Sequence, residues 1–273
     1  MEMNTVKLLD DIFISNETQL KNKRALITGA SSGIGLATAA WLAREGVHLY
    51  LVARRLEKLN ELKKEILALY PELKINIIPL DLMQNDFLSV LEKENALDVD
   101  IFINNAGLAR GRDSVADINF TDLDEMIHTN VTAAFKLASA VVKRMVIKKS
   151  GHIVNLGSIA GHSTYEGGSV YCATKFAVRA FSEVLRQETH DKNIRVSLIS
   201  PGMVKTDFSF VRYYGNKQKS DSVYAEVKTL TASDIARVIL QTLKEPEHIN
   251  IDEIIVLPLV QAPVSFKVKK EMM

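Results

Sequence analysis

TGASSGIG, residues 28–35, joins a short apolar run at 24–28 to a segment with helical periodicity at 34–45. Three glycines in seven residues permit a tight turn and let the backbone approach a pyrophosphate, which a helix N-terminus stabilises. The spacing is G-x-x-x-G-x-G rather than G-x-G-x-x-G, and a simple turn is the alternative. The strand before the turn and the helix after it favour a nucleotide-binding site.

Outward from this turn, short apolar runs alternate with helical stretches. The predicted strands are 24–28, 47–52, 75–80, 99–104, 152–156, 194–199 and 253–257. The predicted helices are 34–45, 55–69, 84–95, 122–148, 169–190 and 232–244. Two helices are predicted to begin with a capping box, at Thr121-x-x-Asp124 and at Thr231-x-x-Asp234.

Strands separated by helices form right-handed βαβ units around a parallel sheet that is covered on both faces. The pattern therefore predicts an α/β fold with a doubly wound parallel sheet (Rossmann fold) in a single domain. This domain spans 21–273 and follows an N-terminal arm at 1–20, which is too apolar to be a free tail. The segment at about 203–230 has no firm strand or helix pattern, and a loop of that length predicts a substrate lid.

The composition limits the classes of function. Of 273 residues, 47% are hydrophobic and 25% are charged, which is typical of a globular protein with a large core. A formal net charge of +1 gives no whole-chain attraction to nucleic acid or to an anionic membrane. The single Cys172 excludes an intramolecular disulfide and a cysteine-cluster metal site, and no metal is predicted. With neither a membrane-length apolar run nor a signal-peptide pattern, a cytoplasmic location is expected.

The end of the second strand bears on which nucleotide binds. An NAD site usually places an acid there, about twenty residues after the glycines, to hold the ribose 2′-hydroxyl. This chain has Ala53 followed by Arg54 and Arg55. A cation beside a helix N-terminus is destabilised by the helix dipole, by ~0.3–1 kcal/mol for each charge. A bound 2′-phosphate would offset this cost and so would explain the two arginines. Solvated surface arginines are the alternative, and NADP is the predicted cofactor.

Tyr171 and Lys175 are four residues apart in a predicted helix, so their side chains share one face. A nearby ammonium favours the phenolate and lowers the tyrosine pKa, so the pair predicts a proton donor or acceptor that works at neutral pH. Ser158 follows a predicted strand and can hydrogen-bond the substrate oxygen with which Tyr171 would exchange a proton. Tyr-x-x-x-Lys is common by chance, and an ordinary helix is the alternative for the pair alone.

Polar residues follow two further strands. Asn104, Asn105 and Gly107 lie at the C-terminal edge of the predicted parallel sheet, where ligands bind in such folds, although an Asx turn would also suit them. Asp81 follows the third strand and can reach an adenine amino group or cap the next helix.

Together these motifs resemble the short-chain dehydrogenase/reductase family. The matches over about 22–260 are TGASSGIG at 28–35, Asp81, NNAG at 104–107, Asn130, Ser158, YCATK at 171–175, Pro201-Gly202 and Thr206. The resemblance implies an enzyme in which Tyr171 is the acid/base and Lys175 adjusts its pKa and binds the nicotinamide ribose. Ser158 would polarise the substrate carbonyl, and Asn130 would hold a water in a proton relay.

The cofactor-binding residues predicted from these motifs and from the resemblance are Gly29, Ser31, Ser32, Gly33, Ile34, Gly35, Arg54, Arg55, Asp81, Asn105, Ala106, Gly107, Tyr171, Lys175, Pro201, Gly202 and Thr206. Arg54 matches the position at which NADP-preferring members are basic. Some NADP-dependent members also carry a basic residue inside the glycine turn, where this chain has Ser32.

A narrower resemblance is to the NADP-dependent 3-hydroxy acid dehydrogenases, which act on serine, allo-threonine and 3-hydroxypropionate-type substrates. The matching segments are NNAGLARG (104–111), GHIVNLGSIAG (151–161), GGSVYCATKFAVRAFS (167–182), PGMVKTDFSFVRYYG (201–215) and PEHINIDEIIVLPLVQ (246–261). This resemblance implies oxidation of a 3-hydroxy acid, or reduction of its 3-oxo form, by a homotetramer.

A hydroxy-acid substrate needs a partner for its carboxylate, and a guanidinium can meet a carboxylate with two parallel hydrogen bonds. Arg212 in the lid segment is the predicted substrate residue, with Arg110 and Arg112 as alternatives. Two other functions stay open: reduction of a different carbonyl substrate (3-oxoacyl, steroid or xenobiotic), and non-catalytic sensing of NADPH.

Overall fold

A parallel sheet of seven strands organises residues 20–225 and 227–262, which are the residues that the computed structural model describes. The strands are β1 (Arg24–Thr28), β2 (His48–Ala53), β3 (Ile75–Pro79), β4 (Ile101–Asn104), β5 (Gly151–Leu156), β6 (Ile194–Pro201), β7 (Val204–Lys205), β8 (Leu230–Thr231) and β9 (Glu253–Val256). The sheet order is β3-β2-β1-β4-β5-β6-β9, and β7 and β8 form a separate parallel pair. The predicted arm at 1–20, apart from Leu20, lies outside the described residues, as do 263–273.

Helices cover both faces of this sheet. They are α1 (Gly33–Arg44), α2 (Leu56–Leu69), α3 (Phe87–Lys93), α4 (Phe120–Ile127), α5 (Ala134–Lys148), α6 (Ser169–Thr189), α7 (Phe208–Arg212), α8 (Lys217–Tyr224) and α9 (Ala232–Lys244). The apolar sides of α1, α2 and α9 pack in one core cluster, and those of α3, α5 and α6 pack in another. Alternate strand residues point to opposite faces, so Ile27 joins the first cluster and Leu26 the second. The predicted doubly wound sheet is confirmed.

The predicted helix at 122–148 is instead two helices joined by a π-helical turn at His128–Ala133. The apolar pattern runs through this turn because both helices bury residues, so periodicity alone does not mark it. The predicted capping box at Thr121 is also wrong. Asn119 caps α4, because its side-chain oxygen accepts from the backbone N–H of Thr121 (2.9 Å) and of Asp122 (3.3 Å).

The second capping box is confirmed at the start of α9. The backbone N–H of Thr231 donates to the Asp234 carboxylate at 2.9 Å, and the N–H of Asp234 donates to the Thr231 hydroxyl at 3.2 Å. An N-cap of this kind contributes about 1 kcal/mol to stability. It sets the start of the helix that closes the lid segment.

The lid segment contains two short helices, α7 and α8, which the sequence did not predict. With five and eight residues, they are too short to show a clear apolar period. The parallel pair of β7 and β8 closes the segment at its base, where Val204 is opposite Leu230. Among the described helices, none combines the length and apolar character needed to cross a membrane.

Candidate active site

A cavity of about 820 Å³ opens at the C-terminal edge of the sheet, between the strand ends and the lid. Ligand sites commonly enclose ~300–1,000 Å³. The predicted residues that line it are Gly29, Ser31, Ser32, Gly33, Ile34, Arg54, Arg55, Asp81, Asn105, Ala106, Gly107, Ser158, Tyr171, Lys175, Pro201, Gly202, Thr206 and Arg212. Two predicted residues, Gly35 and Asn130, are buried behind the wall.

The glycine turn between β1 and α1 has a conformation that side chains would disturb. Gly29 and Gly33 have φ of +67° and +55°, in the left-handed region. At Gly35 an added Cβ would lie 2.4 Å from the Gly29 carbonyl oxygen and 2.6 Å from Nδ2 of Asn105. Gly35 therefore shapes the turn, and the other glycines of the turn face the cavity.

The turn is tied directly to the end of β4. The Thr28 hydroxyl accepts from the backbone N–H groups of Asn105 (3.0 Å) and Ala106 (2.9 Å), and Nδ2 of Asn105 donates to the Thr28 carbonyl at 2.7 Å. These bonds join segments that are more than 70 residues apart. Asn105, predicted from its position at a strand end, thus holds the ends of two strands together.

Two guanidinium groups lie beside this turn. Arg55 donates to the Ser31 hydroxyl at 3.1 and 3.2 Å, and its nearest acid, Asp207, is 3.9 Å away. Arg54 is 3.9 Å from Asp81. Both arginine side chains are at least half exposed, and long exposed ion pairs of this kind contribute little. Asp81 also accepts from the Met83 N–H at 3.0 Å, which is a contact within the turn after β3. The next helix, α3, has Asp86 as its N-cap, so the alternative of a helix cap at Asp81 is wrong.

The N-terminus of α1 faces the same end of the cavity. Within the described residues, its N-cap Ser32 makes no side-chain capping hydrogen bond, and its first turn contains no acid. Such a helix end presents backbone N–H groups and a partial positive charge to an anion. The turn, the helix end and the two arginines fit a dinucleotide that carries an additional phosphate.

Three side chains meet near the ends of β5 and α6. Tyr171 is hydrogen-bonded to Ser158, whose hydroxyl also accepts from the Ala160 N–H at 3.1 Å. Nζ of Lys175 donates to the Leu156 carbonyl at 2.8 Å and lies 5.9 Å from the centre of the Tyr171 ring. The strand end thus positions the serine, and the first turns of α6 position the tyrosine and lysine.

The predicted lowering of the tyrosine pKa by the lysine is wrong for the described side chains. Burial raises the pKa of Tyr171 well above its usual range, although the hydrogen bond with Ser158 opposes this shift. Burial also lowers the pKa of Lys175 to about 8. Desolvation disfavours the charged form of both groups and is the largest cause of each shift. Tyr171 is therefore a neutral phenol, which is the form that can donate a proton.

Asn130 lies in the π-helical turn and is fully engaged by its neighbours. Its side-chain oxygen accepts from the Leu108 N–H at 2.8 Å, while Nδ2 donates to the Leu108 carbonyl (2.8 Å) and the Thr174 hydroxyl (3.1 Å). These contacts fix the loop after β4 against α6. A water relay through Asn130 stays a prediction.

The lid places Arg212 over the tyrosine. Its guanidinium carbon is 5.7 Å from the centre of the Tyr171 ring, and its Nη2 donates to the Tyr165 hydroxyl at 2.8 Å. Of the alternatives, Arg112 also lines the cavity and donates to the Glu166 carbonyl at 2.8 Å. Arg110 is not among the residues that line the cavity, because it is paired with Glu125.

Tyr165, which lines the cavity and bonds to Arg212, was not predicted from the sequence. Burial raises the pKa of its phenol, and the Arg212 charge opposes that shift. An aromatic residue in the glycine-containing loop just before Tyr171 is the signal that could have found it. Apolar lid residues that face the cavity, Phe208 and Val223, were missed because the lid helices were not predicted.

Comparisons with known proteins show which family this chain belongs to. Residues 23–212 match the family model for short chain dehydrogenases. Over 261 residues the chain is 43% identical to the NADP-dependent 3-hydroxy acid dehydrogenase of Schizosaccharomyces pombe, covering 93% of this chain and 99% of that protein. It is 37% identical over 246 residues to serine 3-dehydrogenase of Agrobacterium fabrum, covering 90% of this chain and 98% of that protein.

A solved structure of the closed form of serine dehydrogenase complexed with NADP+ has a TM-score of 0.82 and 33% identity, covering 91% of this chain and 100% of that chain. A parallel sheet with a glycine turn, a half-buried tyrosine, a lysine and a serine at one edge defines a dinucleotide-dependent oxidoreductase. The chain belongs to the short-chain dehydrogenase/reductase family, as the motifs predicted.

Proposed function

We propose that the protein is an NADP-dependent oxidoreductase that transfers a hydride between the nicotinamide and a small 3-hydroxy acid or its 3-oxo form. Substrates of the serine, allo-threonine or 3-hydroxypropionate type fit this description. The observation that carries the proposal is the position of Arg212, which places a guanidinium over the ring of Tyr171 inside the cavity. Serine and 3-hydroxy acids also appear in the names of the relatives.

The residues present suit NADP. The N-terminus of α1 and the glycine turn would take the diphosphate, Arg54 and Arg55 the 2′-phosphate, and Lys175 the nicotinamide ribose. An NAD site would place an acid at the end of β2, where this chain has Ala53. When bound, the nicotinamide accepts or supplies the hydride.

The chain's own residues handle the proton. In the reductive direction, neutral Tyr171 donates its proton to the substrate oxygen, and the Ser158 hydroxyl hydrogen-bonds that oxygen as charge develops on it. In the oxidative direction, the phenol of Tyr171 must first lose its own proton to solvent, and the resulting phenolate then takes the hydroxyl proton of the substrate. Because burial raises the pKa of Tyr171, this direction should be favoured at alkaline pH.

Charge supports an anionic substrate. Among the described residues that line the cavity, the acids are Asp81 and Asp207, and both lie beside the cofactor arginines. The lid end contributes the cations Arg112 and Arg212. A carboxylate near Arg212 would put the hydroxyl of a 3-hydroxy acid within reach of Tyr171.

The test is Arg212→Ala, assayed by the formation of reduced nicotinamide with 3-hydroxy acids and with neutral secondary alcohols. We expect the KM for 3-hydroxy acids to rise about 10–100-fold, because a charge-assisted hydrogen bond contributes ~1.5–3 kcal/mol. The KM for the neutral alcohols should stay within about twofold. Equal effects on both kinds of substrate would remove Arg212 from this role.

A second candidate is reduction of a larger apolar carbonyl compound, such as a 3-oxoacyl, steroid or xenobiotic substrate. It is favoured by the apolar side chains that line the lid end of the cavity: Leu108, Phe208, Val211 and Val223. A substrate panel separates the two, because turnover of large ketones without turnover of 3-hydroxy acids would favour the second. NADPH sensing without catalysis would require the Tyr171 hydroxyl to be dispensable.

We also propose a homotetramer in the cytoplasm, which rests on the resemblance to relatives and on the composition. Light scattering of the purified protein tests the assembly. A monomer under assay conditions would contradict it.

A further inference from the structure

We propose that Arg110 is a positioning residue for substrate selection, because it ties the last turn of α7 to α4 and thereby aims Arg212 into the cavity. The proposal rests on the proposed function, since it assigns the substrate carboxylate to Arg212. It adds a residue outside the cavity that determines how strongly carboxylate-bearing substrates are preferred over neutral ones.

Arg110 has a fixed orientation. Its Nε and Nη2 donate to the two carboxylate oxygens of Glu125 at 2.6 and 2.9 Å. The two side chains are 17% and 22% exposed, so the pair is mostly shielded from water. The hydrogen bond from Arg110 lowers the pKa of Glu125, which keeps its carboxylate charged. A two-point contact of this kind defines the guanidinium plane as well as its place.

The remaining nitrogen of Arg110 points at the lid. Its Nη1 donates to the carbonyl of Val211 at 2.7 Å, a contact between residues that are 101 positions apart. Val211 lies in the last turn of α7, and its carbonyl also accepts from the Tyr214 N–H at 3.2 Å. Arg110 is thus a second donor to this helix-end carbonyl, and it holds that turn against the loop that follows β4.

The residue after Arg110 is bonded directly to Arg212. Gly111 donates its N–H to the Arg212 carbonyl at 3.0 Å, and Nε of Arg212 donates to the Gly111 carbonyl at 2.9 Å. The neighbours Arg110 and Gly111 therefore engage the neighbours Val211 and Arg212 through three hydrogen bonds. With Nε held by Gly111 and Nη2 by Tyr165, the Arg212 guanidinium is directed by contacts that Arg110 maintains.

A second tether joins the same two regions. The Tyr214 hydroxyl donates to the Asp122 carboxylate, and the Arg110 guanidinium carbon is 5.4 Å from the centre of the Tyr214 ring. Tyr214 has φ of +54°, which is a strained conformation for a residue other than glycine. The bond to Asp122 and the contact with Arg110 both hold the Tyr214 side chain while its backbone has this conformation.

Arg110 is absent from the cavity lining, so its replacement removes none of the described side chains that line the cavity. The expected loss is in the aim of Arg212, and it should appear only with substrates that use Arg212. A general structural role would instead weaken every substrate equally. This difference makes the proposal testable by comparing substrates.

The experiment uses the full chain and the 3-hydroxy acid that it turns over best, with a neutral secondary alcohol beside it. Arg110→Ala should raise the KM for the acid about 5–20-fold, with kcat, the KM for NADP+ and the KM for the alcohol within about twofold. In an Arg212→Ala background, adding Arg110→Ala should change the KM for the acid by less than about twofold, because coupled residues are not additive. Arg110→Lys should restore part of the loss.

Two further variants keep the result interpretable. Glu125→Gln retains the shape of the pair and weakens its charge, so it should shift the KM for the acid in the same direction by a smaller factor. It also serves if Arg110→Ala does not fold. Arg144→Ala removes the arginine of an exposed pair with Glu92 and is the matched control, with no change expected in any of these constants.

An Arg110→Ala effect that multiplies that of Arg212→Ala, or that is equal for acid and alcohol, would overturn the proposal. So would an unchanged KM for the acid in both Arg110→Ala and Glu125→Gln. If Arg212→Ala itself leaves the KM for the acid unchanged, the carboxylate role under the proposed function fails, and this proposal fails with it. If Arg212→Ala acts and Arg110→Ala does not, only the positioning role is lost.

Discussion

The cofactor side of the cavity and the lid over it differ in how their backbones are held. On the cofactor side, Thr28 and Asn105 join two central strands of the sheet, and both strands are buried among core residues. In the lid, Ser220 is the residue that α8 buries, and Phe210 and Tyr214 are 46% and 62% exposed. A few side-chain bonds from the 110–111 loop and α4 hold the lid in place.

This difference separates the chemistry from the choice of substrate. The residues proposed to bind the cofactor and to move the proton are fixed by strand ends and by α6, whose placement the whole core determines. Arg212, the residue proposed to bind a substrate carboxylate, is fixed by local contacts, which can change without loss of the fold. Variants on the cofactor side should therefore lower kcat or cofactor affinity, whereas lid variants should change the KM for the substrate.

The largest effect is expected for Tyr171→Phe, which removes the proton donor and keeps the ring. kcat should fall about 10³-fold, within the range of general acid–base catalysis, while the affinity for NADP+ is retained. The same change in the lid, Tyr224→Phe, removes the hydroxyl that contacts Ser209 and should alter kcat by less than about fivefold. Steady-state kinetics and a cofactor titration measure both. Full turnover by Tyr171→Phe would refute the assigned chemistry.

Smaller effects are expected at the two cofactor arginines. Arg54→Ala together with Arg55→Ala should raise the KM for NADP+ about 10–100-fold, because each removes a charge-assisted contact to a phosphate. The KM for NAD+ should change little, and so should that for the 3-hydroxy acid. The ratio of the two cofactor constants is the measurement, and an equal rise in both would argue against a 2′-phosphate site.

Lys175→Met tests the energetic cost of the buried ammonium. The pKa of Lys175 is lowered from 10.5 to about 8, so below pH 8 the folded chain keeps a buried charge that the unfolded chain keeps in water. Between these pKa values the unfolded state binds the extra proton, and the stability of the parent protein rises with pH. The variant should therefore be about 1–2 kcal/mol more stable at pH 7 and lose this advantage towards pH 10.5.

Urea unfolding of both proteins across this pH range measures the difference. The variant also loses the hydrogen bond from Lys175 to the Leu156 carbonyl, which lowers its stability. The expected gain of about 1–2 kcal/mol already allows for this loss. A variant that is less stable than its parent at pH 7 would show that this bond outweighs the desolvation of the ammonium.

The smallest effect separates the two regions by stability alone. Asn216→Ala removes the N-cap of α8, because the Asn216 side chain accepts from the Lys219 N–H at 3.0 Å. Thr231→Ala removes the N-cap of α9. The second should lower the global free energy of unfolding by about 1 kcal/mol, because α9 packs on the core. The first should leave it unchanged and speed hydrogen exchange of α8 only. Equal losses of global stability would mean that the lid unfolds with the core.

Most of the fold could be predicted because each strand and core helix carries its own pattern. The predicted strand at 24–28 and the predicted helix at 232–244 match β1 and α9 to the residue. The π-helical turn could not be predicted, since an apolar pattern runs through it. Asn119 was missed as a cap because Thr121-x-x-Asp124 offers a competing signal two residues later.

The cofactor end of the site was predictable because its residues belong to short motifs with a backbone role. The lid end was not, because its order depends on pairs that are distant in sequence. Arg110 was considered as a substrate residue, yet its partners are Glu125 and Val211, at separations that no local pattern records. The pKa direction of Tyr171 was missed for a similar reason, since burial depends on the assembled core.

The π-helical turn at 128–133 also fixes how many residues this part of the chain can contain. Successive residues of an α-helix are rotated by about 100° around its axis. Removing one residue from the π-helical turn would allow an unbroken α-helix, but the two halves would then be rotated relative to each other by about that angle. Either Met126 before it, or Leu137 and Val141 after it, would then swing away from the apolar groups that they contact. Single-residue deletions here should be tolerated far less well than substitutions, even at exposed positions.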